Sequence, residues 1–167
     1  MKKLFISAFM LAGIAFSAQA QDRNAIGLRF GDNDGFGAEV SYQRTFASAN
    51  RLELDLGWRD SNHYDAVKLA ALYQWVWNIE GGFNWYAGVG GGVGTWSYNY
   101  DGPGPGRGND FDDNGTFIFA AGDIGIEYNF DIPLQIALDF RPELYFNDDY
   151  RGDNFGPDLG LAVRYKF

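Results

Sequence analysis

Apolar and polar side chains alternate along this chain with a period of two, in eight separate stretches between Ile26 and Phe167. That period belongs to β-strands whose two faces meet different surroundings, and it excludes helices as the main element. Ile26, Leu28 and Phe30 alternate with Gly27, Arg29 and Gly31. Phe36, Ala38, Val40 and Tyr42 alternate with Gly37, Glu39, Ser41 and Gln43, and Leu52, Leu54, Leu56 and Trp58 with Glu53, Asp55, Gly57 and Arg59. Near 66–78, Leu69, Ala71, Tyr73, Trp75 and Trp77 stand against Lys68, Gln74 and Asn78, with Leu72 and Val76 on the polar side. Near 83–98, Phe83, Trp85, Ala87, Val89 and Val93 oppose Asn84, Tyr86 and a file of glycines. In the sixth stretch Ile118, Ala120, Ile124, Ile126 and Tyr128 oppose Asp123, Glu127 and Asn129, while Phe117 and Phe119 break the phase. Leu134, Ile136, Leu138, Phe140 and Leu144 then oppose Gln135, Asp139, Arg141 and Glu143. Leu159, Leu161, Val163, Tyr165 and Phe167 close the series, with Asp158, Gly160, Ala162, Arg164 and Lys166 between them.

The connections sort into two kinds. Ala47–Asn50, Asn78–Gly82 and Phe130–Pro133 are short; Tyr98–Gly115 and Asn147–Gly156 are longer and rich in Gly and Asp. Asp32–Gly35 and Asp60–Asp65, on the same side as the long ones, are also short. Short turns on one rim and longer loops on the other suit an antiparallel barrel crossing a bilayer, and an even strand number puts both termini on the short-turn rim. Ahead of the strands, Lys2 and Lys3, an apolar run from Leu4 to Phe16 and Ala18-Gln19-Ala20 read as a cleaved secretory signal peptide over 1–20, leaving a barrel over 21–167. The apolar run is too short to span a bilayer as a helix.

A soluble eight-stranded barrel would alternate too, with its apolar face inward. Charge decides for the opposite arrangement. The polar file holds Glu39, Glu53, Asp55, Asp123, Glu127, Asp139 and Glu143 against Arg29, Arg59, Lys68, Arg141, Arg164 and Lys166, seven acids to six bases. Net charge over the whole chain is −9, and −11 once the leader lysines are removed, so the acidic surplus lies mainly in loops, turns and termini. A nearly balanced set can pair inside a narrow barrel, whereas an Arg or Lys facing mid-bilayer costs ~2–4 kcal/mol. Arg44, the one basic residue on the apolar file, stands beside a turn where it can snorkel to the interface. Pro142, also on that file, lacks a ladder N–H and predicts a bulge or fraying towards the outer rim.

Aromatics gather at the stretch ends: Trp75, Trp77, Phe83, Trp85, Tyr128, Phe130, Tyr165 and Phe167 towards the short turns, and Phe30, Phe36, Trp58, Tyr145 and Phe146 towards the other rim. Two belts are expected where rings meet lipid headgroups. The acidic balance excludes a nucleic-acid partner, and the absence of cysteine excludes a disulfide framework.

On these residues the chain resembles the small eight-stranded outer-membrane barrels of the OmpA/OmpX type, without a periplasmic domain. The resemblance spans Ala25–Phe167 and implies a monomeric, antiparallel, up-and-down transmembrane β-barrel in a bacterial outer membrane, both termini periplasmic. It also implies outer-membrane lipids and lipopolysaccharide as surroundings, no cofactor, and insertion by the barrel-assembly machinery. That machinery reads a terminal Phe preceded by an aromatic two residues earlier, matched by Phe167 and Tyr165; Ala162 stands where the family favours Gly.

Few stretches carry chemistry. GVGGGVG (Gly88–Gly94) lacks the spacing of a phosphate loop and reads as room for bulky neighbours in a narrow lumen. Asp110, Asp112 and Asp113, with Asp148, Asp149 and Asp153, form two acidic groups whose sharper reading is weak divalent-cation binding, although the ligand spacing of a calcium loop is missing. Ser61 and His63 would share a face if their strand continued, which is the geometry a lipid A-modifying enzyme needs, yet no orienting acid or oxyanion site accompanies them. DGPGPGRG (Asp101–Gly108) alternates Pro and Gly and reads as a loop. The first expectation is therefore a structural or surface-interaction role, displaying acidic loops; a lipid A deacylase and a narrow pore are the alternatives.

Overall fold

A computed structural model describes residues 23–31, 37–61, 64–100, 111–146 and 154–167. The expected leader at 1–20, Phe36, His63, Asp110, Asp148, Asp149 and Asp153 lie outside the described residues, as does the side chain of Arg59. Eight strands follow in order: β1 (Asn24–Phe30), β2 (Glu39–Ala47), β3 (Asn50–Ser61), β4 (Tyr64–Glu80), β5 (Phe83–Tyr100), β6 (Phe111–Asn129), β7 (Leu134–Phe146) and β8 (Phe155–Lys166). Each pairs antiparallel with its sequence neighbours, and β8 pairs with β1 to close the barrel. Closure leaves no free sheet edge.

The short turns share one rim. Ser48–Ala49 joins β2 to β3, and Gly81–Gly82 joins β4 to β5 with Gly81 at a φ of 55° that only glycine adopts freely. The described ends meet there as well: the N–H of Asn24 donates to the Phe167 carbonyl at 3.1 Å, and the N–H of Phe167 donates to the Asn24 carbonyl at 2.8 Å. At the other rim the strands run further than the alternation suggests. The β5–β6 register that sets Trp96 opposite Gly115 continues unbroken to Tyr100 opposite Phe111. The strands therefore take in both ends of the expected loop Tyr98–Gly115, and Asp112 and Asp113 are strand residues opposite Asn99 and Tyr98.

The two faces are inverted relative to a soluble protein. Leu28, Leu56, Leu69, Val89, Ile124, Ile126, Leu138 and Leu161 stand on the exposed outer face, while Arg29, Arg141, Arg164, Lys68, Glu53 and Glu143 are buried inside. Leu72, whose phase is ambiguous in sequence, faces inward and is fully buried.

Pro142 produces neither a bulge nor fraying. The β6–β7 register is the same on both sides of it, Ala121 opposite Glu143 and Ile124 opposite Phe140, but no pairing is made over the two positions between. Tyr145 donates its N–H to Asn154 beside β8, so alternation aims the backbone of residue 142 at β6, where proline has no N–H. Across β7–β8, Pro142 faces Pro157, which lies beyond the last β1 partner of β8. Neither proline removes a donor that β7–β8 pairing needs.

Candidate functional site

The interior is built in two layers. From the turn rim to the middle, charged and amide side chains of all eight strands interlock. Arg29, fully buried, donates from Nη1 to Asp158 at 2.7 Å and to Glu39 at 3.3 Å, and from Nη2 to Asp139 at 2.5 Å. Arg141 reaches Glu53 at 3.0 Å, Asp55 at 2.9 Å and Glu39 at 3.6 Å. Arg164 donates to Glu53 at 2.9 Å and to the Ser41 hydroxyl at 2.9 Å. Lys68 donates to both oxygens of Glu143, at 2.6 and 2.8 Å. Gln74 links Glu53 to Asp123 and accepts from Arg51 Nε at 2.5 Å; Arg51 Nη1 in turn donates to Glu127 at 2.5 Å.

Arg51 and Asp158 are absent from the set that the sequence suggested, and Lys166 is only half-buried, donating weakly to the Phe130 carbonyl at 3.5 Å. The signal for Arg51 was present: it holds the alternate position before Glu53. With these changes the described buried charges number eight acids and five bases, a more acidic interior than the expected near balance. Arginine accommodates this, since five N–H donors in a fixed fork let one guanidinium serve several carboxylates.

Above the charges lies an aromatic layer. Trp96, Phe117, Phe119 and Tyr145 cluster with Leu72, Ala66, Ala70 and Ala121. Tyr145 corrects an expectation: it belongs to this plug and not to the outer belt. It has the parity of Glu143 and Arg141, its ring lies 5.6 Å from Phe117 and 5.5 Å from Phe119, and its hydroxyl donates to Glu143. Glycine makes the space. Gly94 lies directly opposite Phe117 and Gly92 opposite Phe119, where an added methyl group would collide with the ring. Gly115 seats Trp96, and Gly125 seats Tyr86, in the same way.

The remaining belt aromatics lie at the surface. Trp77 stacks on Trp85 at 4.3 Å, and Phe83, Tyr128 and Phe130 follow along the turn rim. Trp75 is exposed on the same side; Trp58 and Phe146 are exposed towards the other rim. Tyr165 and Phe167 stack at 6.4 Å beside the β1–β8 closure. Ser61 ends β3 and pairs with Tyr64, while His63, its expected companion, lies outside the described residues. Among the described residues, no three His, Asp or Glu side chains are grouped to hold a metal.

An inverted, closed barrel of eight neighbouring strands with a filled lumen is now complete in outline. Solved structures with the same arrangement include the N-terminal barrel domain of Pseudomonas aeruginosa OprF, with a TM-score of 0.64 at 14% identity over 89% of this chain and all of that one. The fold is that of the small outer-membrane barrels. Neisserial surface protein A shares it with a TM-score of 0.60 at 13% identity, covering 86% of this chain and 94% of its own. Ail, the attachment invasion locus protein of Yersinia pestis, shares it at 0.54 and 16% identity, over 86% and 96%. No family model matches the sequence, and no curated protein does. In this small-barrel fold the candidate site is the lumen and its turn-side mouth, where polar side chains are enclosed among the described residues.

Proposed function

We propose that the chain is an integral protein of a bacterial outer membrane, with its short turns and described ends in the periplasm and its longer connections outside. Its role is structural or interactive: a rigid, plugged barrel that stabilises the membrane and displays acidic loops at the surface. The observation that carries this reading is the inversion of the wall, with Leu, Ile, Val and Trp outside and interlocked Arg, Lys, Asp and Glu inside. A soluble barrel with this exterior would expose a large apolar band to water, which drives aggregation. The filled lumen favours a closed wall over a pore, because the charge network and the aromatic plug together occupy it. Lipopolysaccharide and phospholipid are the surroundings this exterior fits. Insertion by the barrel-assembly machinery, through Tyr165 and Phe167 at the closing strand, belongs to the same proposal.

The deciding experiment is membrane fractionation combined with gel mobility before and after boiling. The chain is expected in the outer-membrane fraction, with its unboiled form migrating apart from its boiled form. Recovery from the soluble periplasm would overturn the reading. Unchanged lipid A mass spectra on deletion are expected of a non-catalytic barrel.

A further inference from the structure

The turn-side mouth of the barrel opens into a cleft of about 180 Å³ lined from all the strands, more than ten times the roughly 15 Å³ that one water needs. Among the described residues its charged lining is Arg23, Arg51 and Lys166 against one acid, Glu127, a local excess of positive charge on a chain whose net charge is −9. The acid is fully engaged. Glu127 Oε2 accepts from Arg51 at 2.5 Å, and Oε1 accepts from Asn84 at 3.0 Å and Asn129 at 3.1 Å.

Four of the lining amide oxygens are engaged too, Asn84 Oδ1 accepting from Asn78 at 2.9 Å. Asn24 Oδ1 accepts from the Tyr42 hydroxyl at 2.9 Å, Asn129 Oδ1 from Gln135 at 3.3 Å, and Gln135 Oε1 from Arg164 at 3.4 Å. The charged groups that the described lining offers are therefore cations, its one acid being already bonded. Arg51 is buried at its base over the Tyr86 ring, and its Nη2 has no hydrogen-bond partner. A buried charged donor left unpaired is costly unless something accepts from it. Low-dielectric walls around a cationic cleft also focus its field on whatever enters.

We infer that this mouth is a binding site for a single oxyanion group, carboxylate or phosphate, held by Arg23 and Lys166 with the donor edges of the amides and with Arg51 at the base. The test uses the full chain folded in a non-ionic maltoside micelle, free of phosphate-bearing detergent. Sodium acetate and inorganic phosphate are titrated separately at constant ionic strength, with chloride as the compensating anion, while NMR follows the side-chain amides of Asn24, Asn84, Asn129 and Gln135. Saturable shifts at these amides are expected with at least one of the two anions, and which one saturates identifies the source chemistry. The double variant Arg23→Gln, Lys166→Gln is expected to weaken that binding at least tenfold while keeping the unboiled gel mobility. Shifts that do not saturate with either anion would overturn the inference, and so would an affinity that the folded double variant leaves unchanged.

Discussion

Gly94 faces the Phe117 ring across the β5–β6 ladder, and the nearest atoms to a methyl group built there all belong to that ring. Gly94→Ala is therefore overpacking against a side chain, which costs about 1–3 kcal/mol. The cost is expected to shrink in a Phe117→Ala background, giving a coupling of about 0.5–3 kcal/mol in a double-mutant cycle read by urea unfolding. Gly37→Ala is the control: nothing lies within 4 Å of its added methyl, so an effect of less than about 0.5 kcal/mol is expected. Arg29 is a residue of the opposite kind, a fully buried side chain shared by Asp139, Asp158 and Glu39. Arg29→Met leaves three carboxylates without their common cation and is expected to cost about 3–5 kcal/mol in the same assay. Arg29→Lys is expected to recover little of that, because an ammonium cannot reproduce a fork that reaches three acceptors.

At the scale of elements, the alternation located all eight strands, because a wall with an apolar outer face and a polar lumen imposes period two wherever it runs. It located their ends poorly at the outer rim. On β6, Asp112, Asp113 and Asn114 are polar at consecutive positions, so the contrast that writes the pattern is missing there although β5 and β6 continue to Tyr100 and Phe111. The charged residues of the lumen were legible from parity, while the aromatic plug was not. Phe117 and Phe119 looked like errors of phase, and their explanation lay on another strand, in the glycines of GVGGGVG opposite them. Tyr145 was misplaced for a related reason: an aromatic near a strand end suits a belt or a plug equally well, and only parity with Glu143 separates the two. Pro142 tests the ladder itself. Its missing N–H leaves the β6–β7 pairing unmade from Gly122 and Asp123 to Arg141 and Pro142. Pro142→Ala supplies a donor aimed at β6, worth about 0.5–1.5 kcal/mol, and removes a restriction on the unfolded chain worth about 0.4–1 kcal/mol. Equilibrium stability is thus expected to change little. Hydrogen exchange should report the difference, with greater protection of the amides around Gly122 and Arg141; unchanged exchange would mean that the gap has another cause.

The whole molecule makes its own prediction through its five tryptophans. Trp58, Trp75, Trp77 and Trp85 stand on the outer face and Trp96 within the lumen, 8% exposed. If the wall is turned outward to lipid, single-tryptophan variants refolded into bilayers separate into two classes under brominated acyl chains. Tryptophans on the outer face contact lipid and are quenched, most strongly by bromines near the headgroup for Trp77 and Trp85, which stack beside the short turns where aromatic belts sit. Trp96 is screened by the strands and packed among Phe117, Phe119 and Tyr145, so its emission is expected to be nearly insensitive to bromine depth. A soluble barrel with a greasy interior predicts the reverse, with a lumenal tryptophan reached by small apolar quenchers and outer ones reached by aqueous iodide. The two classes of response distinguish a wall that holds its charges inside from one that holds its hydrocarbon there, and they do so without reference to any ligand or loop.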